Sequence, residues 1–429
     1  MFYIYSAALY ALSVFFFPYM AVRMALKGKG RAGIGQRLGF LGDDFRLKHA
    51  GKTVWVHAVS VGEALAAVPM AGALMKDMPG INVYFSTVTE TGSAVARERL
   101  GAGVRVFYFP FDFPFAVRRV IDAISPDCFV VVETEIWPNL LLELNKRGIP
   151  ALMVNGRISP RSFRRYRLAR FFIRRVLSMF ARLNMQTDRD AERVIGLGAP
   201  ADRVAVAGNV KFDQACGPAD GLKDVMSKAA LGLPEDSVAL VAGSTHEGEE
   251  EEVIRAYRLV LRDFPKAFLI IAPRHPERLP DVRALLAREG MDYRLKSGIH
   301  CGTTTGPGVL LVDTMGELAG IYRVGDINFV GGSWVPVGGH NILEPAAFGK
   351  AVFFGPHMHN FAEISRILKE CGAGMEVADG EALAREAIRL LREPGHVAAI
   401  AKAAREAIQR NRGAVKRNVE LIEGYLMTT

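Results

Sequence analysis

Three polar segments in the first half of the chain sit where an apolar run gives way to a turn. Ser60-Val-Gly-Glu63 follows Thr53–Ala58, Glu133-Thr-Glu135 follows Cys128–Val132, and Gly208-Asn-Val-Lys-Phe-Asp213 closes the run that begins at Val204. A carboxylate at such a place can take a proton from a bound hydroxyl. Glu63 has a structural use as well, because Ser60-x-x-Glu63 fits a capping box. Glu133 and Glu135 directly follow a hydrophobic strand, and a buried carboxylate must be paired or functional. Asn155-Gly-Arg157 is a further polar group placed after a strand.

The second half repeats the arrangement with Ser244-Thr-His-Glu247, Pro273-Arg-His-Pro-Glu277, Thr314-Met-Gly-Glu317 and the stretch Phe329–Ala347. Two of these fit the S/T-x-x-E capping pattern. The Arg274-His275 pair fits no cap, and an arginine at a strand's end suits a phosphate. Gly331, Gly332, Gly338 and Gly339 fall within nine residues. Such glycines are expected to bring backbone N–H groups against a ligand. Pro345 is expected as the first residue of a short helix, with Glu344 at or beside its cap. The competing use of Asn341-x-x-Glu344 is a capping box.

Elements that could position these groups alternate along the chain. Strands are expected at 53–58, 83–87, 104–109, 128–132, 151–154 and 204–208, with helices over 62–78, 91–100 and 139–147 between them. After Gln214–Leu222, read as a linker, the alternation restarts: strands at 238–242, 267–272 and 309–312, helices over 249–263 and from Leu279. Two amphipathic helices are expected after Phe361, the last from about His396 to Met427. Short β-branched runs each followed by a helix imply parallel, doubly wound sheets, which bind ligands beyond the carboxyl ends of their strands. At 429 residues two such domains are the natural division.

Met1–Val22 carries no charge, and 22 helical residues would reach about 33 Å, enough for a bilayer core. Arg23, Lys27, Lys29, Arg31 and Arg37 follow, which places the rest of the chain in the cytoplasm by the positive-inside rule. Pro18 and the tyrosines leave open a helix lying in the interface. Arg157–Arg182 holds nine arginines and no acid, interleaved with Phe163, Tyr166, Phe171, Phe172 and Phe180. That composition fits an RNA-binding helix, a solvated basic face, or a helix against anionic headgroups, and the apolar N-terminus favours the last. A formal net charge of +9 also points to an anionic partner. Cys128, Cys216, Cys301 and Cys371 are scattered, without zinc or disulfide spacing, as in a reducing compartment. No G-x-G-x-x-G follows the first strand and no P-loop occurs, so dehydrogenase and P-loop functions lose their main support.

Taken together, Trp55-Val-His-Ala-Val-Ser-Val-Gly-Glu63, Glu133-Thr-Glu-Ile-Trp-Pro-Asn139, Gly208-Asn-Val-Lys-Phe-Asp213, Ser244-Thr-His-Glu-Gly-Glu249, Ala272-Pro-Arg-His-Pro-Glu-Arg278, Asp313-Thr-Met-Gly-Glu317 and Gly338-Gly-His-Asn-Ile-Leu-Glu-Pro345 resemble the 3-deoxy-D-manno-octulosonic acid (Kdo) transferases of lipopolysaccharide biosynthesis. The resemblance covers nearly the whole chain, anchor included. It implies an α/β fold of the GT-B type, two Rossmann-like doubly wound domains facing across a cleft. It also implies an inverting, metal-independent and cofactor-free transfer of Kdo from CMP-Kdo to a glucosamine hydroxyl of the lipid A precursor (lipid IVA). The implied setting is the cytoplasmic face of the bacterial inner membrane, with anionic lipids and no nucleic acid as partners.

By that resemblance Glu63 is the general base, and Glu133 and Lys211 assist the transition state. Pro273, Arg274, Met315, Gly316, Glu317, Asn341, Ile342, Leu343 and Glu344 would contact CMP. The expected division is an anchor at 1–22, an acceptor domain at 23–213, a linker at 214–222 and a CMP-Kdo domain at 223–429, with the last helix free to pack back on the first domain. Gly156 and Ile342 stand where the family pattern suggests alanine and proline, and Trp334-Val-Pro-Val337 is bulkier than the pattern. Two other readings remain: a GT-B transferase using a UDP-sugar, and a catalytically silent, membrane-bound nucleotide-binding scaffold.

Overall fold

The computed structural model of the chain describes residues 1–27, 33–45, 51–215, 226–299 and 308–428. Two compact units are present: Met1–Gln214 with Arg412–Thr429, and Ala215–Asn411. Residues 216–222 of the expected linker, Cys216, Cys301, Lys29 and Arg31 lie outside the described residues, as do the side chains of Arg23 and Lys27.

The first unit is built on strands β1 (Thr53–His57), β2 (Asn82–Thr87), β3 (Arg105–Tyr108), β4 (Cys128–Val132), β5 (Ala151–Gly156), β6 (Arg182–Met185) and β7 (Val204–Val206). They pair in parallel in the order β3-β2-β1-β4-β5-β6-β7. Chain order reverses between β1 and β4, which makes that gap the switch point where such sheets bind ligands. Trp55 pairs with Tyr84 on one side and Phe129 on the other. Because side chains alternate across a strand, Trp55, Tyr84, Phe107 and Phe129 enter one core while Val54, Val56, Phe85 and Val130 enter the other. Strand β6 escapes the apolar pattern because Arg182-Leu-Asn-Met is half polar. Its buried Asn184 donates to Asn418 at 3.0 Å.

Asn418 belongs to the helix Ala414–Thr428, whose Val419, Ile422 and Leu426 close the second core. Each buried aliphatic side chain contributes about 1.5–3 kcal/mol, which holds this helix to the first unit. The single helix expected from His396 to Met427 is instead two, Pro394–Asn411 and Ala414–Thr428, separated at Gly413 with φ +87°. The region after Phe361 also holds the helices Ala362–Glu370 and Gly380–Leu391.

Strands of the second unit are β8 (Val238–Thr245), β9 (Ala267–Pro273), β10 (Tyr293–Leu295), β11 (Val309–Leu311), β12 (Ile327–Val330), β13 (Val352–Phe354) and β14 (Gly374–Glu376). They are parallel in the order β10-β11-β9-β8-β12-β13-β14, with the switch point between β8 and β12.

The N-terminal residues form a helix, Phe2–Lys27, with Pro18 inside it. It lies along the first unit: Tyr5 donates to Asp112 at 3.0 Å and Ser6 to Asn139 at 3.0 Å, while Tyr10 and Phe17 stack on Phe113. Tyr3 and Phe15 point outward, 91% and 79% exposed. Among the described residues no helix is long and apolar enough to cross a membrane. Arg37 is likewise tied into the first unit, donating to the Val88 carbonyl and lying over the Tyr108 ring.

The arginine-rich segment folds into the helices Pro160–Leu168 and Arg170–Leu177. Its aromatics divide. Phe180 is fully buried, and Phe163, Tyr166 and Phe172 pack against the first core. Leu168 and Phe171 remain at the surface, the latter 80% exposed.

Candidate active site

The strand ends of the first unit gather the acidic groups. Ser60 caps the helix Val61–Asp77, its hydroxyl accepting from the Glu63 N–H at 3.4 Å. The Glu63 carboxylate in turn accepts from the Val59 N–H at 2.7 Å and from the Ser60 hydroxyl at 2.9 Å. The cap therefore forms, and it also holds the half-exposed carboxylate rigidly beside the β1–β4 switch point. Each carboxylate oxygen keeps acceptor capacity for a further hydroxyl.

Across that gap Glu133 begins the turn after β4 at φ +62°, a left-handed conformation uncommon for a non-glycine residue. The turn is clamped by Thr134, whose hydroxyl accepts from Arg157 N–H at 2.9 Å and donates to the Arg157 carbonyl. Burial raises the Glu133 carboxyl above its usual range, and the Glu63 charge adds to this, while Lys211 and Arg157 oppose it. Glu135 is pushed up to about 7 by burial and by the Glu63 and Glu133 charges. Burial depresses the Lys211 ammonium, which Glu133 offsets. Three carboxyls and two cations thus share one site, with one acid poised to titrate near neutrality.

Lys211 opens the helix Lys211–Ala215. Its position is set by a buried amide network that the apolar pattern could not reveal. Asn155, at φ +54°, accepts from the Val210 N–H through its side chain at 3.2 Å. Gln186 donates to the Asn155 carbonyl and accepts from Asn209, both at 3.0 Å, and Asn209 accepts from the Lys211 N–H at 3.0 Å. Gln186 follows β6, so missing that strand hid the residue. Gly156 packs against the methionine tips: a Cβ there would come within 2.7 Å of the Met185 sulfur and 3.1 Å of the Met153 sulfur, so alanine would need those side chains to shift. His57 takes no part in this chemistry. It is fully buried, its Nδ1 lies 3.1 Å from the Ser86 carbonyl, and burial lowers it to about 3.

In the second unit the glycine loop binds an anion of its own chain. The fully buried Glu249 accepts from the N–H groups of Gly332 (2.7 Å), Ser333 (2.9 Å) and Trp334 (2.9 Å), and from His246 N–H (2.9 Å). Those three loop N–H groups, expected above to meet a ligand, are occupied by this internal carboxylate. Trp334 turns inward, stacking on Phe329 at 4.0 Å and donating to the Val377 carbonyl at 2.9 Å.

The short helix spans Leu343–Ala347, so Pro345 is its third residue and not its first. It still lies in the opening turn, whose N–H groups have no intrahelical partner. Asn341 accepts from Leu343 N–H and donates to Glu344, both at 3.2 Å, while Ile342 stands at the cap position without a side-chain cap, so the two residues are paired with each other and the expected capping box does not form. Burial raises the Glu344 carboxyl, against Asn341 and Arg274. Ile342 and Leu343 are buried and can offer a ligand only their backbone.

Pro273 ends β9, and the exposed Arg274 follows with its N–H on the Thr245 carbonyl at 3.0 Å. Arg278 anchors this turn through two bonds to the buried Glu250, at 2.7 and 3.2 Å. After β11, the Glu317 carboxylate is held by Thr314 and by Lys296, which directly follows β10, and both keep it below the usual range. Met315, 71% exposed, and Gly316, at φ +84°, stand at the tip of that turn. Arg274 and Asn341–Glu344 thus lie at the ends of β9 and β12, with Met315–Glu317 at the end of β11. Among the described residues no three His, Cys, Asp or Glu side chains converge to hold a metal.

Comparison with known proteins agrees with the motifs. Residues 32–214 match the family described as 3-Deoxy-D-manno-octulosonic-acid transferase (kdotransferase). The chain is 36% identical over 397 residues to a 3-deoxy-D-manno-octulosonic acid transferase of Haemophilus influenzae, covering 92% of each chain. It is 34% identical to the protein of that name from Bordetella pertussis, covering 87% of each. A glycosyltransferase structure from Rickettsia africae has the same fold, with a TM-score of 0.57 at 14% identity, covering 89% of this chain and all of that one. By its motifs and by its likeness to these relatives along almost its full length, the chain belongs to the Kdo transferase family.

Proposed function

We propose that this chain is an inverting glycosyltransferase of the GT-B type that moves Kdo from CMP-Kdo onto a glucosamine hydroxyl of the lipid A precursor (lipid IVA). The observation that carries the reading is the rigidly capped Glu63 carboxylate at the switch point of the first sheet. Glu63 takes the proton of the acceptor hydroxyl as that oxygen forms its bond to C2 of Kdo. The bond from C2 to the phosphate oxygen breaks, and its electron pair leaves with CMP. Lys211 and Glu133 stabilise the charge that develops, and a base-assisted displacement from the opposite face inverts the anomeric centre. CMP is held by the second unit through Arg274, the Met315–Glu317 turn and Asn341–Glu344.

The reaction takes place at the cytoplasmic face of the bacterial inner membrane. The helix Phe2–Lys27 lies in the headgroup region with Tyr3 and Phe15 in the lipid, and the arginine-rich helices meet anionic headgroups. No divalent metal is needed, since cations of the protein carry the phosphate charge. The test is transfer of radiolabelled Kdo from CMP-Kdo to lipid IVA in vesicles, with and without EDTA. Transfer that survives chelation is expected. Transfer only from a UDP-sugar, nucleotide binding without transfer, or magnesium-dependent transfer would each overturn the part of the reading it addresses.

A further inference from the structure

At the switch point of the second sheet, the ends of β8 and β12 bring two histidines together. His246 Nε2 and His340 Nε2 are 2.8 Å apart, the ring planes differ by 3°, and the ring centroids are 5.1 Å apart. That centroid distance equals one hydrogen bond plus two ring radii, so the rings lie end to end in one plane and are not stacked face to face. One Nε2–H therefore donates to the other Nε2. Neither Nδ1 has a hydrogen-bond partner among the described residues, which leaves both rings half-exposed with a free polar end.

The surroundings require this contact and set its charge. A Cβ on Gly332 would sit 2.9 Å from the His340 Nε2 and 3.4 Å from the His246 Cδ2, so only glycine admits the pair. From the β9 end, His275 lies edge-on to His246 at 5.5 Å, and Arg274 acts on both rings. Arg278 is engaged by Glu250, and Glu249, the carboxylate nearest His246, is consumed by four backbone N–H groups. Glu344, from the helix after β12, is held by Asn341. What faces the open side is positive. Burial and then the neighbouring cations lower His340 to about 4; His246 is lowered by the same causes, with Glu249 opposing. The empty pair is neutral at pH 7. An anion bound among these groups would offset the repulsion from Arg274, which acts on both rings, and favour a second proton.

We propose that the coplanar His246–His340 pair receives the phosphodiester of the sugar nucleotide and takes up one proton when that anion binds. This rests on the reading that the second unit holds CMP-Kdo. As the C2–oxygen bond breaks, the phosphate gains a second negative charge, and the protonated pair is the donor that meets it. The proton stays on the pair or leaves with CMP and is replaced from water, while the acceptor's proton goes to Glu63. By linkage, affinity must fall as pH rises, by up to about tenfold per pH unit where uptake is complete.

The test is calorimetry on the full-length protein with the 5′-phosphate methyl ester of cytidine, whose single charge does not titrate in this range. Heats in two buffers of different ionisation enthalpy count the protons exchanged. Uptake approaching one proton at pH 7 is expected, with affinity falling between pH 6 and pH 8. His340→Gln should abolish both effects while retaining weaker binding through Arg274, and Gly332→Ala should reduce uptake with both histidines in place. Binding by the wild-type protein without proton uptake would overturn the proposal, whatever the variants do. Uptake unchanged in His340→Gln would overturn it as well. Failure of the wild type to bind the ester would bring down the donor-site reading itself, a result the proton count distinguishes.

Discussion

Asp213 accepts from the N–H of Gly413 at 2.6 Å and from that of Val415 at 2.7 Å, two hundred residues further along the chain. Its carboxylate caps the helix Ala414–Thr428 and stands two residues after Lys211, on the same short helix. The point where the chain returns to the first unit is therefore fastened beside a site residue. Asp213→Ala should cost about 0.5–2 kcal/mol of stability, the usual loss for a helix cap. It should also slow transfer through Lys211, and Asp213→Asn should restore much of both. Chemical denaturation and initial rates measure the two effects. An alanine variant with unchanged stability would show that the cap is idle.

Glu63→Gln separates capping from chemistry. Glutamine keeps an acceptor for the Val59 N–H and suits the position, so the helix should stay capped. Removing a charge that raises Glu133 and Glu135 should leave the melting temperature equal or higher. The transfer rate should drop about 10²–10⁴-fold, the typical contribution of a general base. Near wild-type transfer would reduce Glu63 to a cap and move the base to Glu133 or Glu135.

Glu135 should titrate near pH 7 in the wild-type protein, and lower in Glu63→Gln because a like charge has been removed. The sign for stability follows. A carboxyl raised in the folded state binds its proton more tightly there. It stabilises the fold fully below 4.5, and that contribution is lost as pH rises through about 7. Carbon NMR of the labelled carboxyl reads the titration directly. A midpoint unmoved by Glu63→Gln would mean that burial and Glu133 set it without Glu63.

Glu249→Ala should be among the most damaging changes in the second unit. Four backbone N–H groups would lose their acceptor, and leaving even one buried group unsatisfied costs about 1–3 kcal/mol. The loop that carries His340 and Asn341 would loosen, so CMP affinity should fall together with the melting temperature. Glu249→Gln should be milder, because it keeps one acceptor oxygen.

Deleting residues 1–22 should release the protein from strong membrane association. It should also remove the Tyr5 hydroxyl from Asp112 and so lower stability. Residual binding to anionic vesicles through the arginine-rich helices should weaken as salt rises. Salt-independent binding of the truncated protein would count against the electrostatic reading.

What the sequence by itself determined was the alternation of elements and the place of nearly every polar motif at a strand's carboxyl end. Parallel strands covered on both faces must be continuously apolar, so a Ser60, Glu133 or Arg274 marks where a strand stops. Capping chemistry is equally local, and Ser60-x-x-Glu63 formed as its spacing required. Which groups meet depends on strand order, and that is not local. Only the tertiary structure put Glu63 and Glu133 across the β1–β4 switch point and His246 against His340 across β8–β12. It alone showed that the glycine loop closes on Glu249, because a buried carboxylate inside the chain competes for the N–H groups a ligand would use. Strand β6 and the break at Gly413 were hidden for one reason: each depends on a distant partner, Asn418 for Asn184 and Asp213 for Gly413, that no window of neighbouring residues contains.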